Sequence, residues 1–327
     1  ERNERDIKTP ERDPSLLPEK KSDNDPASDK KANGVKNQEA KTDKPKQPTQ
    51  PPPPEPKREL CRTNQCLPSF SSKGSIGVLW DLDETMIIAT KYQDFCIQHD
   101  KEPRIQDDII INLITSVANT KLFYKNLDTF KGDGGLSSAK EYLAADDGAS
   151  VVNYDFRAKF TEDKPPTALD AAYRMRQIRA LWKDTDELAK IRKMEVIKDT
   201  LDDISKTTGG WSKKIREILT KLREKRVLHS VVTASHLIPA LTKLVLFDFT
   251  EVVPLDNVLS ASPKGCNKQQ CFERVMKGHE RIKKWIAIGN GPEEEEVAKK
   301  MKIPYYKIAN TMDLERLYRH VMMERKR

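Results

Sequence analysis

The pattern of apolar and polar positions changes character along the chain. Ile76-Gly77-Val78-Leu79-Trp80 is the first run that reads as a buried strand, and the Ser/Gly punctuation of Ser71 to Gly74 sets it off from what precedes. From about Thr90 to Arg226 the apolar residues fall mostly at helical spacing, as in Ile109, Ile110, Leu113, Ile114 and Val117, and again in Ile215, Ile218, Leu219 and Leu222. This stretch predicts a helical insertion with a looser middle around Gly132 to Ser150. A strand pattern returns at Val227 to Thr233. It is followed by a helix over Leu237 to Leu246, a short strand over Val252 to Leu259, a helix over Cys271 to Lys284 and a buried strand at Trp285 to Gly289. Glu293 to Lys300 opens with acidic residues and closes with two lysines, the charge order that complements a helix macrodipole. Tyr305 to Ile308 and Leu314 to Met323 complete the pattern as a last strand and a last helix. Strands alternating with helices predict an α/β fold with a largely parallel sheet covered on both faces.

Composition separates the first residues from this pattern. Of the 327 residues, 36% are hydrophobic and 34% charged, which is little apolar material for one globule. Eleven of the twenty prolines lie in residues 1–60, among Lys, Asp, Glu, Gln and Asn. Such a segment cannot bury enough apolar surface to offset an ordering cost of about 1–2 kcal/mol per residue, so residues 1–70 are expected to be disordered. The run Pro51 to Pro54 with Pro56 favours polyproline II, either as a spacer or as a docking site for a proline-binding module. The chain opens on Glu1 and not on methionine, which leaves a fragment or processed form open.

Charge and cysteines narrow the setting. No stretch approaches the ~18 consecutive apolar residues of a membrane span, and the N-terminus has no apolar signal core, so a soluble, intracellular chain without a membrane partner is expected. Cys61, Cys66, Cys96, Cys266 and Cys271 form an odd set without zinc-like pairing, which points to reduced thiols in a nuclear or cytoplasmic compartment. The net charge is +8, yet residues 1–60 carry 14 Lys/Arg against 13 Asp/Glu, so the excess belongs to the rest of the chain. That excess favours an anionic substrate or acidic partner and is too mild to point to direct nucleic-acid binding. The basic amphipathic run Lys213 to Arg226 reads as a helix packing its apolar face on the core.

The candidate chemistry begins where the first strand ends, at Asp81-Leu82-Asp83-Glu84-Thr85. Two carboxylates two positions apart face the same side unless the backbone turns between them, and open α/β sheets bind ligands at the carboxyl ends of their strands. One carboxylate can attack an electrophile such as phosphorus while the other exchanges a proton with the leaving oxygen, and a divalent cation relieves their repulsion. Thr233 closes a later strand with a hydroxyl able to hold a phosphoryl oxygen, although such a residue taken alone is more often a helix N-cap or turn residue. Lys268, ahead of a helix, can neutralise the carboxylate and the transferring group. Gly289-Asn290-Gly291-Pro292-Glu293-Glu294 follows a buried strand and opens a helix, where an amide or carboxylate oxygen can face a cation. His236 is close enough to Thr233 to reach the site, and Cys271 reads as a buried helix residue.

In this order the residues resemble motifs one to four of the haloacid dehalogenase superfamily, and more narrowly its Eyes absent branch. The shared wording comprises Val78 to Thr85, Val232-Thr233 with Leu237 to Leu241, Ser260-Ala261, Cys271 to Arg274, Ile288 to Glu295 and Ala298 to Lys300. Tyr154-Asp155-Phe156 and Ala172 to Arg176 are similar to that family's cap. The resemblance spans roughly residues 75–325. It implies a Rossmann-like core of the haloacid dehalogenase type over residues 71–90 and 227–327, with a helical cap over 91–226 inserted between motifs one and two. It also implies Mg2+-dependent protein-tyrosine phosphatase activity through an aspartyl-phosphate. By position, Asp81 is the nucleophile and a metal ligand, and Asp83 the acid/base with its main-chain carbonyl on the metal. Thr233 and Lys268 bind the phosphoryl group. Lys264 competes with Lys268, and the spacing to Cys271-Phe272-Glu273 favours Lys268. Asn290 stands where the family has a metal-binding Asp, which lowers the expected Mg2+ affinity; Glu294 occupies the place of the second acidic residue and partly compensates.

Two other functions compete. The Asp-Leu-Asp-Glu-Thr wording also occurs in phosphoserine phosphatases of the RNA polymerase C-terminal-domain type, which lack the long cap and the Cys-Phe-Glu-Arg signature. The resemblance equally implies a transcriptional co-activator that meets transcription-factor partners through cap or core, a reading that Asn290 favours if it weakens turnover on a phosphotyrosyl protein substrate.

Overall fold

A computed structural model describes residues 76–128, 130, 135–161 and 163–326. The disordered head expected over 1–70, its proline run, Cys61, Cys66 and the Ser/Gly punctuation before Ile76 lie outside the described residues, as do parts of the expected loose segment near Gly132.

The chain runs β1 (Ile76–Trp80), α1 (Tyr92–Gln98), α2 (Asp107–Lys121), α3 (Tyr124–Asp128), α4 (Ala139–Leu143), α5 (Ala168–Leu181), α6 (Thr185–Lys193), α7 (Glu195–Thr207) and α8 (Trp211–Glu224). It continues with β2 (Leu228–Thr233), α9 (Leu237–Leu246), β3 (Val258–Ser260), α10 (Lys268–Gly278), β4 (Lys284–Gly289), α11 (Pro292–Lys300), β5 (Tyr305–Lys307) and α12 (Thr311–Lys326). The five strands form one wholly parallel sheet in the order β3-β2-β1-β4-β5. β1 is central, with Trp80 opposite Val231 of β2 and Ile288 of β4. Two strands lie on each side of it, so the chain after β1 crosses to one edge and later returns to the other. This places the carboxyl end of β1 at the switch point where an open α/β sheet binds its ligands.

Alternation along the strands sorts the core into two layers. Val78, Trp80, Val231, Ile286 and Ile288 face one cluster, which holds the buried positions of the insertion together with those of α9 and α12. Leu79, Val232, Trp285 and Ala287 face the other, built on Cys271, Phe272 and Val275 of α10 and Val297 and Ala298 of α11. The residues of β1, β2 and β3 are all buried, as the near-continuous apolar runs of a two-sided parallel sheet require.

The insertion after β1 is helical, as the spacing predicts. α2 buries Ile110, Ile114 and Val117 while Ile109 is half exposed, and α8 buries Ile215, Leu219 and Leu222. The expected loose middle contains one short helix, α4, bounded by irregular chain. Tyr154 and Arg174, from the two cap-like segments, meet in one packing unit. The Arg174 guanidinium lies over the rings of Tyr154 and Phe160 at 5.4 and 4.6 Å and donates to the carbonyl of Asp170 at 3.1 Å, and Tyr154 Oη donates to the Asp170 carboxylate at 2.5 Å.

Two elements are shorter than their patterns suggest. The strand expected over Val252 to Leu259 is only β3, because Pro254 leads into a single 3-10 turn at Leu255–Asn257 before the chain can pair with β2. The helix expected to reach Lys284 stops at Gly278 and starts three residues before Cys271, where the side chain of Asn267 and that of Gln270 form a reciprocal capping box. No helix among the described residues is long and apolar enough to cross a membrane. Cys96, Cys266 and Cys271 are free thiols, with the sulfurs of Cys266 and Cys271 3.3 Å apart and Cys271 buried on α10.

Candidate active site

The β1 strand delivers Asp81 directly: its amide donates to Ile288 O at 2.9 Å, extending the ladder by one residue. The chain then folds tightly. Glu84 adopts φ +57°, its amide donates to Ile87 O, and the amide of Met86 returns to Leu82 O, each at 2.9 Å. Leu82 is fully buried in the apolar layer shared with α9. The backbone therefore turns within the Asp-x-Asp segment, and the two aspartates acquire different partners.

Asp81 is 6% exposed. Its Oδ2 accepts from Thr85 Oγ1 at 2.9 Å and its Oδ1 from Lys268 Nζ at 3.0 Å. Asp83 lies in a second set: Oδ1 accepts from Lys243 Nζ at 2.5 Å, and Oδ2 accepts from Ser235 Oγ at 2.6 Å and Thr233 Oγ1 at 3.3 Å. Burial pushes the Asp81 carboxyl above the ordinary carboxylate range, Lys268 and Thr85 pull it back only in part, and the nearby Asp83 charge adds to the rise. Glu84 is pushed up to about 7, again chiefly by burial, against stabilising contacts from the Lys91 amide and the Thr90 hydroxyl.

Lys268 is the first residue of α10, and the Asn267 cap that starts the helix aims its side chain inward, where it is 5% exposed. Its ammonium also meets Glu294 Oε1 and lies 3.3 Å from Glu293 Oε2. Lys264 instead lines a cleft of about 780 Å3 together with Ser137, Glu141, Arg274 and Lys277. Of the two competing lysines, Lys268 is the one beside Asp81.

The Gly289-Asn290-Gly291 turn has a steric reason for its glycines. A Cβ on Gly289 would lie 2.9 Å from Glu294 Cγ, and one on Gly291 would lie 2.9 Å from Glu294 Oε2, so the buried Glu294 side chain folds back over bare backbone. The Glu294 carboxylate is thereby committed to Lys268. Asn290, partly buried, lines a cleft of about 360 Å3 with Glu84, Lys91, His99 and Lys307.

Asp81, Lys268 and Glu294 thus form one set of direct side-chain contacts and Asp83 and Thr233 a second, close enough for the Asp83 charge to act on Asp81, and Asn290 stands at the end of the adjoining strand. His236 is turned away from these groups, its Nδ1 2.5 Å from Asp128 Oδ1 of α3. Two partners are absent from the motif reading: Ser235 and Lys243. Lys243 is the one charged residue in the run Leu237 to Leu246, which does not by itself name its partner.

Among the described residues, no group of three or more His, Cys, Asp or Glu is arranged to hold a metal ion. The donor set expected from the sequence is a different kind: the Asp81 carboxylate, the Asp83 main-chain carbonyl, the Asn290 amide oxygen and the Glu294 carboxylate, of which Glu294 is here paired with Lys268. All are hard oxygen donors of the type Mg2+ accepts. By donor chemistry these residues suit a hard cation.

No protein-family model matches the chain. Relatives are nonetheless recognisable across animals and a plant. The chain is 27% identical over 273 residues to protein phosphatase EYA2 of Homo sapiens, covering 75% of this chain and 49% of that protein. It is 24% identical over 268 residues to protein phosphatase eya of Drosophila melanogaster, covering 73% of this chain and 34% of that protein. To protein phosphatase EYA of Arabidopsis thaliana it is 24% identical over 266 residues, covering 73% of this chain and 84% of that protein. The chain spans about half the length of the human relative it matches, and most of the plant one. The parallel sheet, the motif order along it and these three matches together support an Eyes absent family member with an α/β fold consistent with the haloacid dehalogenase type.

Proposed function

We propose that the protein is a Mg2+-dependent phosphatase that transfers a phosphoryl group from a phosphotyrosyl protein to Asp81 and then to water. The observation that carries this reading is the buried Asp81 carboxylate, held on one oxygen by Lys268 and on the other by Thr85, with a second carboxylate two residues on. In the first half-reaction an Asp81 oxygen attacks phosphorus, the bond from phosphorus to the aryl oxygen breaks, and Asp83 gives its proton to that oxygen. In the second, Asp83 takes a proton from water as the water oxygen attacks phosphorus, and the bond to Asp81 breaks. Lys268 offsets charge on the transferring group, and the Thr233 hydroxyl at the β2 end binds one of its oxygens. Asp81, the Asp83 carbonyl and Asn290 would hold Mg2+, which supplies charge neutralisation for the phosphoryl oxygens when bound. Tyrosine as the phosphorylated residue rests on the family resemblance.

The test is hydrolysis of matched phosphotyrosyl and phosphoseryl peptides with and without Mg2+. A Mg2+-dependent preference for phosphotyrosine, lost in Asp81→Asn, is the expected result; a preference for phosphoserine would favour the polymerase-tail type of phosphatase. A second reading, a co-activator scaffold with little turnover that binds transcription factors through cap or core, draws on Asn290, which contributes no charge to the cation. It predicts that only the Asn290→Asp protein turns over.

A further inference from the structure

We propose that Lys243 is a positioning residue for the Asp83 carboxylate, fixing it with Ser235 in the orientation needed for proton transfer to the leaving oxygen. The inference rests on the phosphatase reading above. Lys243 sits on the helix that follows β2, which is buried nearly throughout and whose other buried members are apolar apart from Thr242. Its side chain is 4% exposed. An ammonium there is strongly unfavourable unless it is paired and hydrogen-bonded, and a methionine of similar reach would pack as well. What the ammonium meets explains its presence.

The contacts close a ring. Lys243 Nζ lies 2.5 Å from Asp83 Oδ1 and 3.1 Å from Ser235 Oγ, while Ser235 Oγ lies 2.6 Å from Asp83 Oδ2. The directions agree: the Ser235 hydroxyl accepts from the ammonium and donates to the carboxylate. Ser235 is itself held, its amide donating to Thr233 Oγ1 at 3.0 Å and its carbonyl accepting from Ser260 Oγ at 2.7 Å. Both oxygens of Asp83 are therefore pinned, and the plane of the carboxyl group is set by β2, β3 and α9 together. Each aspartate of the pair has its own buried lysine, Lys268 for Asp81 and Lys243 for Asp83.

A salt bridge that merely tied α9 to the β1 loop would, on removal, lower stability and depress every activity alike. A positioning role acts through proton donation, which a poor leaving group needs and a good one needs far less. Phenyl phosphate and 4-nitrophenyl phosphate, compared at one Mg2+ concentration, separate the two. In Lys243→Met, kcat/KM for phenyl phosphate is expected to fall by at least about tenfold more than kcat/KM for 4-nitrophenyl phosphate, with partial recovery in Lys243→Arg. In an Asp83→Asn background, Lys243→Met is expected to change kcat/KM less than about twofold, because the group it positions is gone. Equal losses on the two esters, or an undiminished loss in the Asp83→Asn background, would overturn the proposal. Should Lys243→Met fail to fold, Ser235→Ala removes the bridging hydroxyl and is expected to show the same leaving-group bias at smaller size; an unbiased loss there also overturns it. A wild-type protein inactive on both esters defeats the phosphatase reading itself, an outcome distinct from an active wild type with equal losses.

Discussion

The interior of the sheet and the carboxyl end of β1 bury ionisable groups in opposite ways. Inside the sheet, His229 of β2 accepts at Nδ1 from the indole N–H of Trp80 at 3.2 Å, and its other ring nitrogen donates to Leu219 O at 3.1 Å. The imidazole is satisfied only as the neutral Nε2–H tautomer, and burial lowers its pKa to about 4, with the Arg223 charge adding to the fall and the Leu219 carbonyl opposing it. At the carboxyl end, a few residues away, Asp81, Asp83 and Glu294 are paired with Lys268 and Lys243. Where a structural group can be neutral, the fold keeps it neutral. Where charge is needed for chemistry, the fold surrounds it with counter-charge, and Asp81 remains raised even so.

That contrast can be pressed by experiment. The largest effect is expected from Asp81→Asn, which removes the proposed nucleophile: Mg2+-dependent turnover of an aryl phosphate should drop by about four orders of magnitude, while thermal unfolding still shows a folded protein. Lys268→Met leaves Asp81 and Glu294 buried without their cation. Turnover should fall by about 10²–10³-fold, and urea unfolding should report a loss of about 3–5 kcal/mol.

For His229 in the sheet interior the expected effect is on stability against pH. The unfolded histidine binds its proton near 6.5 and the folded one near 4, so acid favours the unfolded chain. The contribution of His229 is complete above pH 6.5 and shrinks as the pH falls towards 4; by pH 5 it should have cost about 2 kcal/mol relative to pH 7. Urea unfolding of wild type and His229→Gln at the two pH values checks this, with a shallower pH slope expected for the variant. The smallest effect is expected from Asn290→Asp, which adds a charged ligand at the β4 end. Calorimetric Mg2+ titration should show affinity rising by about tenfold.

Much of this architecture is legible in the chain because its signals are local. The apolar run Ile76 to Trp80 ending in Asp81 identifies a buried strand and its ligand end, and α9 begins and ends where its apolar run does. The shortness of β3 and the true limits of α10 escape the periodicity, since they depend on Pro254 and on the Asn267–Gln270 cap. That same cap decides between Lys264 and Lys268, by setting which side chain of the loop enters the core. Lys243 and Ser235 were not legible as site residues at all: their link to Asp83 spans more than 150 positions and exists only once α9 lies under the β1 loop. His236 shows the converse, close to Thr233 along the chain yet bonded to Asp128 in the insertion.

The central claim is that Asp81 carries phosphorus during turnover. Protein quenched in acid during steady-state hydrolysis of an aryl phosphate with Mg2+ can be digested and analysed by mass spectrometry. A phosphoryl group on the peptide containing Asp81, absent when substrate or Mg2+ is withheld, is the predicted result. Sustained turnover by Asp81→Asn, or a phosphoryl group found only on another residue, would contradict it.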